Sequence, residues 1–81
     1  MFEAIDESIK VLATFEKGLV TPHKFSWRNR VVEITRVNMI HRTRDGTVTC
    51  YVFSVSNDTA AYKLKFNVAT MKWTLEQIYN D

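Results

Sequence analysis

A chain of 81 residues has room for one domain with one small core, and ten aromatic side chains within a hydrophobic fraction of 46% give that core large groups to bury. Two glycines, one proline and 25% charged residues exclude a low-complexity or disordered chain, and a net charge of only +2 does not by itself demand a nucleic acid or a membrane as partner. The one cysteine, Cys50, excludes an internal disulfide framework, and with only His23 and His41 beside it there is no zinc-ligand spacing. No apolar stretch approaches the ~20 residues of a membrane span. Glu3, Asp6 and Glu7 stand where a signal peptide carries positive charge, so a soluble chain in the cytoplasm, with no membrane partner, is the expectation.

The dominant hydrophobic period is two. In chain order, the first segment is ambiguous. Phe2, Ile5, Ile9 and Leu12 fit a short helical turn, whereas Ile9, Val11, Ala13 and Phe15 alternate as a strand near 8–16. The stretch KFSWRNR, residues 24–30, places Asn29, which tolerates the left-handed region, after Trp27 and Arg28. A two-residue loop at Arg28–Asn29 between strands near 24–28 and 30–42 sets Trp27 opposite Arg30 and Phe25 opposite Val32. Phe25, Trp27, Val32 and Ile34 then share a core face, with the Arg30 guanidinium over the exposed tryptophan ring, a contact worth roughly 0.5–1 kcal/mol.

Val32 and Ile34 alternate in one phase and Val37 and Met39 in the other, which predicts a β-bulge near Thr35–Arg36 that bends the strand. Asp45-Gly46 is the strongest hairpin signal, and a turn on those two residues sets His41 across from Cys50. The next strand, near 47–56, is apolar on both faces, Tyr51, Phe53 and Val55 on one and Val48, Cys50 and Val52 on the other. A turn at Asn57-Asp58 and a loop over residues 67–70 lead to strands near 60–67 and 72–79. These turns pair Val55 with Ala60, Phe53 with Tyr62, Leu64 with Trp73 and Tyr62 with Leu75, and they put Trp73, Leu75 and Tyr79 on one side. Two independent turns agree on one aromatic face, and a one-residue slip would reverse every side chain. The expected fold is all-β, a six-stranded antiparallel meander over residues 1–81, strongly twisted or closed into a small barrel to remove its edges.

The run PHKFSWRNRVV, followed by YVFSV, YKLKF and MKWTLEQIY, resembles a family of small bacterial domains of no settled activity. Their shared pattern is a proline, Phe-x-Trp-(Arg/Lys)-x-Arg and a terminal hairpin ending in Trp-x-Leu. The resemblance covers roughly Thr21 to Asp81, and Asn29 stands where glycine is commoner in the family. It implies a small β domain and carries no activity with it.

An enzyme is not expected, since there is no nucleophile motif, no phosphate-binding glycine loop and no paired acidic cluster. A His41–Cys50 pair lacks a third group to orient the imidazole, and Cys50 reads as a small buried hydrophobe. No cofactor or metal is expected. The leading functional expectation is a non-catalytic binding module for single-stranded nucleic acid. Its contacts are Arg28 and Arg30 on one hairpin, Arg42 and Arg44 on another, and Lys63, Lys65 and Lys72 on a sheet face, with Trp27 as a stacking platform. The cost is a like-charge pair, Lys65 across from Lys72. The alternative is a protein-interaction or homodimerisation module using a second apolar face of Val37, Met39, Val48, Cys50 and Val52, unless Phe2 and Ile5 cover it.

Overall fold

The computed structural model describes residues 2–80, and they form a single antiparallel sheet of seven strands. β1 spans Phe2–Glu16, β2 Leu19–Trp27, β3 Arg30–Glu33, β4 Arg36–Asp45, β5 Val48–Ser56, β6 Ala61–Asn67 and β7 Lys72–Tyr79. Their spatial order is β3-β2-β1-β7-β6-β5-β4, so two meanders are joined where the first strand pairs with the last. The all-β antiparallel meander read from the alternation is therefore the fold. Among the described residues no helix is long and apolar enough to cross a membrane.

The sheet stays open rather than closing into a barrel, and its edges meet only at one corner. Ile34 N donates to His23 O at 2.9 Å, and the next amide, Thr35 N, donates to Ser56 O at 3.0 Å. Successive amides thus point to opposite edges, and the chain leaves β2 as β3 and joins β5 as β4. Asn57 Nδ2 fastens the same corner by donating to Glu33 O at 2.8 Å. The expected single strand over 30–42 is two strands for this reason, which makes seven strands instead of six. The expected bulge lies slightly later, between Val37 and Met39.

The segment over residues 2–7 is strand, without the helical turn that its spacing allowed, and Met1 lies outside the described residues. It pairs Phe2 with Tyr79 and Ile9 with Trp73, and a bulge between Ala4 and Glu7 holds Asp6 at φ 53°. A second bulge, between Leu12 and Ala13, lies opposite His23, next to Pro22, whose missing N–H interrupts a ladder.

The turns explain where the expected registers slip. Lys17–Gly18 and Arg28–Asn29 have positive φ at both residues, as type I′ hairpin loops require, and Trp27 faces Arg30 and Phe25 faces Val32 as expected. At the β4–β5 turn Asp45 pairs with Val48, so the loop is Gly46–Thr47 and only Gly46 takes positive φ, at 67°. His41 then faces Val52, and Thr43 faces Cys50. The two asparagine loops are four residues long. Asn57 Oδ1 accepts from Thr59 N and Ala60 N, and Asn67 Oδ1 accepts from Ala69 N and Thr70 N. Val55 consequently faces Tyr62, Phe53 faces Leu64, Phe66 faces Trp73 and Leu64 faces Leu75. At these three turns the partner moves by two residues, which keeps the faces, and beyond the bulge between Lys63 and Leu64 it moves by three, so that Tyr62 faces Ile78 rather than Leu75.

The inner face holds the core: Phe25, Val32, Phe53, Val55, Leu64, Phe66, Trp73, Leu75 and Ile78. Burying a large apolar side chain of this kind stabilises by about 1.5–3 kcal/mol relative to leaving it in water. Trp73 stacks at 4.7 Å on Phe66 and 5.3 Å on Phe53, and Phe25 meets Tyr62 edge-on at 5.2 Å. Tyr79 does not join Trp73 and Leu75. A bulge between Lys63 and Leu64, opposite Glu76, turns Ile78 inward and Tyr79 outward.

Nor do Val37, Met39, Val48, Cys50 and Val52 make one exposed apolar face. The bulge turns Val37 into the core opposite Val55, while Met39 stays outside opposite Ser54. Cys50 and Val52 are buried on the outer side of β5, flanked by Thr43 and Asn67 and by His41 and Lys65. Val48 is half-buried beside the hairpin. Phe2 is exposed on β1 and Ile5 packs against the inner core, so neither covers that side.

Candidate functional site

Antiparallel pairing places the β1–β2, β4–β5 and β6–β7 connections at one end of the sheet and the β2–β3 and β5–β6 connections at the other. At the first end the seam between β2 and β4 is unpaired, and the curled sheet leaves a cleft of about 520 Å³ there. Tyr51, Phe53 and Phe66 form its floor. The tip of the β1–β2 hairpin supplies one wall through Phe15, Leu19 and Val20. Ile40 on β4 forms the facing wall, and Val68 and Met71 in the β6–β7 loop form a lip.

The local sequence accounts for each wall. Phe15 pairs with Val20 across a hairpin closed by Lys17–Gly18, and its ring meets Phe66 edge-on at 5.9 Å. Ile40 shares a face with Phe53 because the two are cross-strand partners. Phe15 is nonetheless 58% exposed, Leu19 60%, Met71 64%, and Ile40 and Val68 42% each. Five large apolar side chains in water around one concavity are unusual on a small soluble domain. The volume falls in the range of ligand pockets, which are mostly apolar with a few polar groups at the margin.

Met71 closes the four-residue β6–β7 loop, its N–H donating to Asn67 O at 2.8 Å. It adopts φ 61°, a left-handed backbone that disfavours L side chains by about 1–2 kcal/mol and ordinarily goes to glycine or asparagine. The margin is charged: Lys17 and Glu16 line the hairpin side. On β4, Arg42 faces Tyr51 and Arg44 faces Thr49, so both exposed arginines share the cleft side of that strand with Ile40.

The opposite end carries the stretch with the tryptophan. Trp27 Nε1 donates to Glu7 Oε1 at 2.9 Å, while Arg28 donates from Nη2 to Glu7 Oε2 at 2.6 Å and from Nε to Oε1 at 3.3 Å. The cation over the Trp27 ring is Arg28, at 4.6 Å from the centroid, rather than Arg30. Glu7 accounts for the exchange, because it anchors Arg28 beside the indole while Arg30 points into solvent. The hydrogen bonds from Arg28 and then Trp27 hold the Glu7 carboxyl below its usual value, and Glu7 in turn raises Arg28.

The structure thus separates the expected nucleic-acid contacts. Arg28 and Arg30 lie at one end of the sheet, and Arg42 and Arg44 at the other, so no single surface unites both hairpins. Lys63, Lys65 and Lys72 do share the outer face, opposite Ser54 and Gln77, Val52 and Thr74, and Asn67 respectively. Lys65 and Lys72 do not oppose one another. Lys65 Nζ instead lies 3.9 Å from both Asp45 Oδ2 and Glu76 Oε2.

The cleft residues Phe15, Leu19, Ile40, Val68 and Met71 escaped the reading of the sequence. The available signal was Lys17-Gly18 between two apolar alternations, which marks a hairpin. No family model, curated protein or solved structure matches the chain.

Proposed function

We propose that the chain is a non-catalytic protein-interaction module whose site is the apolar cleft at the open seam. The observation that carries this reading is the ring of Phe15, Leu19, Ile40, Val68 and Met71, all in water around one concavity floored by aromatic core residues. The interaction class is the one the outer face of β5 was expected to serve. The cleft now offers it a better place, because Cys50 and Val52 are already buried. Cys50 faces Thr43, away from His41, which favours a binding role over thiol chemistry.

A single-stranded nucleic acid is the second reading, supported by Lys63, Lys65 and Lys72 on one face. It has less behind it, since Trp27 and Arg28 are occupied by Glu7 and Lys65 lies near two carboxylates.

Methyl NMR during titration with the apolar dye anilinonaphthalene sulfonate tests the cleft. Shifts gathered at Leu19, Val20, Ile40, Val68 and Met71, and lost in Ile40→Ser, are expected. Dye shifts centred on Val31, Leu12 or Met39 instead would overturn the assignment of the site.

A further inference from the structure

We infer that the cleft's occupant is an extended segment of an acidic partner protein that adds as a strand to the free edge of β4. Along one of its faces this segment carries an apolar side chain followed by acidic ones. The inference rests on the reading of the cleft as the binding site.

β4 is the last strand in the sheet order, runs for ten residues and, among the described residues, pairs only with β5. An edge of that length displays a row of free backbone donors and acceptors, the template that extended peptides use when they join a sheet. At the other margin β3 is only four residues long, and the stretch of β2 that it leaves unpaired beside the cleft is short and ends at Pro22, so that margin offers much less. The cleft opens beside β4 rather than beside β3, so backbone pairing and side-chain burial are available to the same ligand.

Register sets the pattern the segment needs. Ile40, Arg42 and Arg44 occupy successive cleft-side positions on β4. A strand laid along them presents every second side chain to that same face. The one beside Ile40 hangs over the aromatic floor and is apolar. The ones beside Arg42 and Arg44 meet guanidinium groups, and carboxylates suit them. Asp45, the acid on β4 itself, lies on the Lys65 side at 3.9 Å. The segment therefore reads apolar-x-acid-x-acid, or the reverse for the other strand direction.

The same charges disfavour a second copy of this chain. Pairing β4 against β4 brings Arg42 and Arg44 of each copy together on the cleft face, and like charges across a strand pair are destabilising.

The test uses the full chain, isotopically labelled, and the blocked peptide acetyl-TLTETET-amide. Three further peptides accompany it: one with lysine for glutamate, and two N-methylated at alternate residues in opposite phases, so that each blocks one edge of the peptide strand. Amide shifts are expected along residues 37–45 and the cleft. Binding should weaken roughly threefold to tenfold for the lysine peptide. One N-methyl phase should weaken it about tenfold or more while the other changes little. The double variant Arg42→Glu with Arg44→Glu, on an exposed strand face, should reverse the preference between the glutamate and lysine peptides.

Equal binding by both N-methyl phases, with shifts in the cleft but not along β4, overturns strand addition and leaves the cleft reading intact. Absence of shifts with both the peptides and the dye overturns both. Two other results also contradict the inference: concentration-dependent shifts along β4 without peptide, which mark a second copy, and a short oligothymidylate occupying the seam in the peptides' place.

Discussion

At the end of the sheet closed by the β2–β3 hairpin, Trp27 has its indole N–H on Glu7 and its ring under Arg28, while Arg28 is paired with the same carboxylate. At the other end, Phe15, Ile40 and Met71 face water, and Arg42 and Arg44 stand on the same side of β4 as Ile40. Both ends bring aromatic or apolar side chains beside cations, yet only the first has settled its own interactions. A tryptophan among arginines is therefore not by itself a free platform, because its partners can come from a neighbouring strand, here Glu7, 20 residues away in the chain.

The largest expected effect lies in the core that both ends share. Leu75→Ala, at a fully buried position away from either end, should lower unfolding free energy by about 2–5 kcal/mol, seen as a reduced denaturant midpoint at unchanged slope. Ile40→Ser on the cleft wall should cost under about 1 kcal/mol in the same assay while abolishing dye binding. A cleft that serves the core rather than a ligand would give the opposite balance.

Asn57 comes next. It closes the β5–β6 loop and fastens the corner through Glu33 O, so Asn57→Ala should cost about 1–2 kcal/mol and speed amide exchange at Ile34 and Thr35. Met71→Gly should do the reverse and raise stability by about 0.5–1 kcal/mol, because glycine removes the left-handed strain. The same change should weaken dye binding, and a stabilised variant that binds as well as the parent would remove Met71 from the site.

The smallest effect belongs to Glu7. Its folded-state carboxyl value is depressed by Arg28 and Trp27, so its contribution is complete above the ordinary 4.5 and is lost as pH falls through the lowered folded value. Glu7→Gln should melt lower than the parent at neutral pH. The gap should narrow in acid, and melting curves at several pH values measure it directly.

Much of the inner face was legible because period-two alternation and two hairpins agreed on it, and the Arg28–Asn29 turn was marked by Asn29, which accepts positive φ. The registers beyond Asn57 and Asn67 were off by two, since the Asn57 loop has four residues rather than two and the Asn67 loop lies one residue later, over 68–71, each held by the asparagine side chain. Tyr79 was assigned inward because it keeps the phase of Trp73 and Leu75, whereas the strand past the bulge at Glu76 follows the other phase, the one marked by Ile78. The Glu7 partnership spans 20 residues to Trp27 and depends on β1 lying beside β2. The cleft was invisible for a related reason. It arises where two edges fail to pair, and that depends on the strand order of the whole sheet.

The most direct test of the account is to attach a nitroxide label to one end of the acidic peptide and map paramagnetic broadening of the protein's amides. Broadening concentrated on residues 15–20, 37–44 and 68–71, with Trp27 to Arg30 unaffected, is the predicted result. Broadening centred on Trp27 and Arg28, or spread over Lys63, Lys65 and Lys72, would contradict the placement of the binding site at the open seam.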